Sequence, residues 1–245
     1  MFKLKSEPYA AGDTLEVAGV PVRLKVDARA RRVSLRLDTA RGEVIATAPS
    51  PRRLPEAVRF ASQRAGWIED AVARLPRAEP FAPGTVIEVL GRPCRLEQAP
   101  GRRGAELIEG EELRLVVAGE GAAFTRAVVR VLKREALEAF RERTDFHARA
   151  LGQPLPSVAV MDARSRWGSC TPARPGRIAG IRYSWRLVLA PYAVADYVAA
   201  HECAHLVHAD HSPKFWALVK TLIPDVKAAR AWLRANGARL HALGR

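Results

Sequence analysis

Four of the chain's six histidines, His201, His205, His208 and His211, fall within eleven residues, and their spacing dictates the local fold. In His201-Glu202-Cys203-Ala204-His205 the two histidines stand four apart. Side chains at that spacing share a face on an α-helix, about one turn or roughly 6 Å apart along the axis. Both imidazoles then reach one ion, and Glu202, beside the first, is left to move protons. Tyr192 to His208 is therefore read as a helix that starts after Pro191. Two ligands and a base are the equipment for turning water into a nucleophile. A bound zinc lowers the water's pKa to about 7, and the carboxylate takes its proton.

A catalytic zinc needs a third protein ligand. His208 continues the helical face but stands seven residues from His201, about 10 Å along a straight helix. Bonds of about 2 Å do not span that distance. His211 is better placed if the chain turns at Ala209-Asp210. The residues that follow favour such a turn, because Ser212 is a capping residue and Pro213 suits the first position of a new helix. The predicted ligands are His201, His205 and His211, the predicted acid/base is Glu202, and the predicted cofactor is Zn2+. Cys170 stays open as an alternative ligand, since a thiolate beside two imidazoles is sound zinc chemistry. Cys203, about 200° around the helix from His201, is expected to face the core.

The rest of the chain reads as α+β. Alternation predicts strands at Val22–Val26 and Val33–Leu37, with a third at Glu43–Ala48. Val58, Ala61, Ala65, Ile68, Val72 and Leu75 form one apolar stripe, which predicts a continuous helix from Pro55 to Leu75. Residues 77–84 read as a linker. Short strands follow at Val86–Leu90, near Arg95-Leu96 and at Leu113–Val117. A long amphipathic helix is expected from Phe124 to Ala150, then strands at Ser157–Asp162, around Gly168 and at Ile178–Val188. No internal repeat is evident. The expected organisation is a β-rich region over 1–120 with one amphipathic helix, and a zincin-like catalytic region over 121–245 with a small sheet and the active-site helix.

Composition bounds the setting. Three scattered cysteines make no disulfide framework, and no apolar run approaches the roughly 20 residues of a membrane helix. Residues 1–8 carry no hydrophobic leader. A cytoplasmic protein without a membrane partner is expected. The formal charge of +14 leaves a nucleic-acid partner open, although no nucleic-acid motif accompanies it.

His201-Glu202-Cys203-Ala204-His205-Leu206, followed by His211-Ser212-Pro213-Lys214-Phe215-Trp216, resembles the YgjP-like metallopeptidase family, related to the SprT and WLM zinc proteins. Arg166-Trp167-Gly168-Ser169-Cys170, Trp185-Arg186-Leu187 and Asp196-Tyr197-Val198 agree with it, as do Gly66-Trp67-Ile68, Pro83-Gly84 and Leu90-Gly91. The resemblance covers most of residues 20 to 240. It implies a zinc metallopeptidase-like fold with the three histidines as ligands and Glu202 as acid/base. The family more often has asparagine where this chain has Asp210.

The expected reaction is hydrolysis of a peptide bond in a peptide or protein substrate. The alternatives are a zinc-dependent hydrolase of a phosphorylated or nucleotide substrate, and a DNA-associated protease. Around the site, Arg166 is a candidate to bind a substrate carboxylate or an oxyanion. Trp167 is read either as a cleft wall or as a core residue, and Gly168 as a turn or a close backbone approach. The strand at Ile178–Val188 is expected to border the cleft. Tyr183 is a candidate cleft residue, and Tyr183, Tyr192 and Tyr197 are candidates for an electrophilic hydroxyl.

Overall fold

The computed structural model of the chain describes residues 9–38, 42–101, 104–163 and 166–245. Residues 1–8, on which the expectation about a leader rests, lie outside the described residues. The chain is α+β, with six α-helices and three small mixed sheets among the described residues. It divides into two compact units after Pro76. None of its described helices is long and apolar enough to cross a membrane.

The first unit holds strands β1 (Thr14–Val17), β2 (Val20–Val26), β3 (Ser34–Asp38) and β4 (Glu43–Ala48), in the order β1-β2-β4-β3. Val17, Val22, Leu24, Val44, Ala46 and Ala48 form its buried face. Helices α1 (Leu54–Gln63) and α2 (Ala65–Ala73) cover that face. The apolar stripe packs as expected, with Val58, Ala61 and Ile68 buried. The helix is not continuous, however. The Arg64 N–H donates to the Ala61 carbonyl, one residue short of the α pattern, while the Ser62 hydroxyl donates back to the Val58 carbonyl. That tightened turn precedes Gly66, a weak helix former, and divides the helix there.

The second unit begins with β5 (Val86–Val89), β6 (Arg92–Gln98), β7 (Ala105–Ile108) and β8 (Leu113–Val117), in the order β5-β6-β8-β7. This is the first sheet over again. In both, the outer pairs are antiparallel and the central pair is parallel. Both open on a two-residue turn in the left-handed region, Ala18-Gly19 at φ 53° and 73° and Leu90-Gly91 at 50° and 81°. Such turns match the twist of a hairpin. In both, a glycine N–H upstream donates to a β-strand leucine carbonyl, Gly12 to Leu24 and Gly84 to Leu96. The chain therefore contains an internal repeat, contrary to the sequence reading. Val17-x-Gly19-x-Pro21-x-Arg23-Leu24 recurs as Val89-x-Gly91-x-Pro93-x-Arg95-Leu96, 72 residues further on.

The copies differ in what they touch. The Ala18-Gly19 tip is exposed. At the second tip, the Leu90 N–H donates to the Val188 carbonyl at 2.6 Å. A Cβ on Gly91 would lie 3.6 Å from the backbone of Pro191 and Tyr192. The segment read as a linker is also pinned: Glu79 pairs with the Ala242–Gly244 backbone, and Phe81 is buried. The second sheet shares its core with the 30-residue helix α3 (Gly121–Ala150), through Leu96, Leu115, Phe124, Val128 and Leu132.

The third sheet comprises β9 (Ser157–Met161), β10 (Gly168–Thr171) and β11 (Gly180–Ser184), in the order β10-β11-β9. The strand expected to run to Val188 ends at Ser184 and continues as a buried 3₁₀ turn, Trp185–Leu189. Arg186, which alternation along a strand running to Val188 puts on one face with Arg182 and Ser184, is instead in this turn and 2% exposed. Its guanidinium pairs with Asp162, donates to the Leu243 carbonyl and lies over Trp185. Because β11 is the central strand, it has no free edge for a substrate; among the described residues β10 has one. Helices α4 (Tyr192–Ala204), α5 (Pro213–Leu222) and α6 (Val226–Ala242) complete the unit.

Candidate metal centre

Helix α4 is apolar on nearly every side, so it is a buried helix held between neighbours. Asp196 fastens it to α3, accepting from Arg143 Nε and from His147 Nε2, each at 2.7 Å. The helix ends at Ala204, earlier than expected, and the N–H groups of Leu206, Val207 and His208 close the last turn. His205 caps it. Its Nδ1 lies 3.0 Å from the His208 carbonyl. A carbonyl only accepts, so Nδ1 carries the proton and Nε2 keeps its lone pair.

The chain then reverses. Asp210 Oδ1 accepts from the Ser212 N–H at 3.1 Å, and Ser212 Oγ caps α5 by accepting from the Phe215 N–H. His211 is thereby swung back over α4. Donor atoms of His201, His205 and His211 all lie within 4.8 Å of one another. The Nε2 atoms of His201 and His211 are 3.2 Å apart, against about 3.3 Å for two nitrogen ligands of a tetrahedral ion with bonds of about 2.0 Å. Phe215 walls the cluster, its ring 4.5 Å from that of His205 and 4.9 Å from that of His201. Burial, with lesser repulsion from His205, His211 and Arg230, pushes His201 down to about 4. Burial also lowers His205. Both imidazoles are therefore neutral at pH 7, the state in which they bind metal. The donor set suits zinc.

Glu202 is 5% exposed. Burial pushes it up to about 7, against the pull of the Arg166 guanidinium. Gly168, on β10, faces its carboxylate so closely that a Cβ built there would lie 2.4 Å from Oε1.

A family model for the YgjP-like metallopeptidase domain matches residues 31–236. The chain belongs to the YgjP-like metallopeptidases. No curated protein and no solved structure matches it significantly. The family is one of metal-dependent hydrolases, and its model spans parts of both compact units.

In this YgjP-like chain the histidine cluster contains the three residues read from the sequence. His208 contributes only its carbonyl. Cys170 is outside the cluster, with its thiol pushed up to about 11 by burial. Cys203 is buried, its thiol 3.8 Å from the Thr144 carbonyl. Arg166 is exposed and near enough to Glu202 to act on its charge. Trp167 packs: its ring stacks on His241 at 4.5 Å and rests against Gly237 of α6.

Tyr183 is not a cleft residue. It is fully buried, stacked 4.2 Å from Phe140, with its hydroxyl 2.9 Å from Thr144 Oγ1. The sequence reading put it on a strand beside the cleft, but that strand is the middle one and its tyrosine points into the core. Tyr192 stands exposed at the start of α4, whereas Tyr197 lies with its ring 5.9 Å from that of His201. Two contributions escaped the sequence reading, the tie from Asp196 to α3 and the fit of Gly168 against Glu202. For the first, the only signal was the four-residue spacing of Arg143 and His147. For the second there was none beyond the glycine itself.

Proposed function

We propose that the chain is a zinc-dependent peptidase in which His201, His205 and His211 hold the ion and Glu202 is the general acid/base. One observation carries the reading: three imidazoles, those of His201 and His205 kept neutral by burial, converge beside a buried carboxylate whose affinity for protons is matched to neutral pH. A zinc held by the three histidines would supply Lewis acidity, which lowers the pKa of water toward about 7. Glu202 takes the proton of the attacking water and returns it to the leaving nitrogen. The contact with Gly168 fixes where that carboxylate stands. Arg166 offsets part of the burial cost of its ionised form, so the group alternates between both states.

The substrate follows from β10. Among the described residues no strand pairs with its outer edge, and it begins against Glu202. An extended peptide can satisfy such an edge with its own backbone groups. A phosphoester cannot, and that alternative rests on the +14 charge alone. The test is a hydrolase screen of the zinc-loaded chain on peptides and phosphoesters, with Glu202→Gln as control. Peptide cleavage abolished by that substitution supports the reading. Turnover of phosphoesters only refutes it.

A further inference from the structure

Between β10 and β11 the chain makes a second, smaller hairpin. Arg174 and Arg177 form an antiparallel bridge in which the N–H of each donates to the carbonyl of the other at 2.9 Å. Pro175-Gly176 turns the tip, with Gly176 at φ 73°. Residues directly opposite in such a bridge project from the same side, and like charges placed so repel. Both arginines are exposed, and neither has a carboxylate partner among the described residues. Among the described residues, nothing relieves the two cations that the bridge holds together.

A cavity of about 470 Å³ adjoins the tip, lined by both arginines with Leu155, Pro172, Ile178 and Leu206. Leu155 and Ile178 are 49% and 66% exposed, so its apolar lining is open to a ligand. Two lining residues connect the cavity along the chain to the metal centre. Leu206 directly follows His205, and Pro172 directly follows β10. From Gly168, against Glu202, to Thr171 is three strand steps, about 10 Å. A peptide extended along β10 with its scissile bond at Glu202 therefore brings a side chain to the cavity about three residues away.

We propose that this cavity is a substrate subsite that selects an acidic side chain, its carboxylate held between Arg174 and Arg177 and its methylenes against Leu155 and Ile178. The inference rests on the peptidase reading of the metal centre and assigns it a substrate class, peptides carrying Asp or Glu near the cleaved bond. Paired guanidinium donors are the arrangement that recognises a carboxylate.

The test uses the full-length, zinc-loaded chain carrying Glu202→Gln, so that peptides bind without turnover. The probes are fluorescein-labelled octapeptides that carry Glu, Gln or Lys at one scanned position. At one position the Glu peptide should bind about tenfold more tightly than the Gln peptide, the effect of one charge-assisted hydrogen bond. In Arg174→Gln/Arg177→Gln that advantage should vanish, and in Arg174→Glu/Arg177→Glu the order should turn to favour Lys. The tip is exposed, and unchanged melting temperatures would verify that both variants fold. Equal affinity for the three peptides at every position, or a Glu preference that survives the charge reversal, overturns the subsite. Cleavage of the same peptides by the unsubstituted chain is read separately by mass spectrometry. Cleavage with no acidic preference overturns the subsite and leaves the peptidase reading standing. An arginine-dependent binding preference without cleavage of any peptide does the reverse.

Discussion

Replacing Gly168 with alanine puts a methyl carbon where the Glu202 side chain now stands. The added Cβ would lie 2.4 Å from Oε1, 2.6 Å from Cγ and 2.7 Å from Cδ. Ordinary contact begins near about 3.4 Å, so the carboxylate must retreat by about 1 Å. The strand is the less able of the two to yield. Gly168 to Thr171 is paired residue by residue with Tyr183 to Gly180, and the Trp167 carbonyl accepts from the Ser184 N–H at 2.8 Å. A displacement of about 1 Å in a reacting group costs about 100-fold in rate, or roughly 2.7 kcal/mol of barrier. The three atoms nearest that Cβ all belong to Glu202 and none to a histidine, so zinc should stay at about one ion per chain. The assay is kcat on a cleaved peptide, with zinc measured by mass spectrometry and folding by thermal melt. The expected result is a folded, zinc-replete protein with kcat down about 100-fold, and a double variant with Glu202→Gln that is no slower than Glu202→Gln alone. A kcat within about threefold of the unsubstituted chain, or losses that simply multiply in the double variant, would refute the idea that Gly168 positions Glu202.

Alanine at His201, His205 or His211 should each strip the chain of zinc, while His208→Ala keeps about one ion, because only its backbone takes part; metal analysis decides. Glu202→Gln should retain zinc and lower kcat by about 10²- to 10⁴-fold in steady-state assays. Asp196 bears on acid stability. Burial favours its neutral form, but hydrogen bonds from His147 and then Arg143 outweigh that and hold the carboxyl below its ordinary value. A depressed folded pKa gives stability that is complete above the unfolded value, about 3.9, and is lost as pH falls through the lower folded value. Urea unfolding from pH 5 to pH 2 should therefore lose stability more steeply than in Asp196→Asn. Parallel curves would count against the tie between α3 and α4.

What could be read from the sequence was what neighbours along the chain determine. The His201–His205 spacing and the Ser212-Pro213 helix start are short-range signals, and they located the histidine cluster. Tyr183 and Arg186 were misplaced because alternation says that a side chain changes face but not which strand lies outermost. Gly168 and Glu202 are 34 residues apart, so a missing side chain at one says nothing of a carboxylate at the other until the fold joins them. The repeat was hidden by the dissimilar continuations of its two copies. The first runs into a helix broken at Arg64, the second into one of 30 residues.

The two hairpin tips make unequal places to cut and splice. Leu90-Gly91 bears on the first residues of α4, so lengthening that tip would push on the element that carries His201 and Glu202. Ala18-Gly19 has the same turn geometry and bears on nothing within reach of its glycine. An epitope or fluorophore tag spliced between Ala18 and Gly19 meets no such neighbour at its glycine, whereas the same insertion 72 residues later makes a handle for disturbing the start of α4.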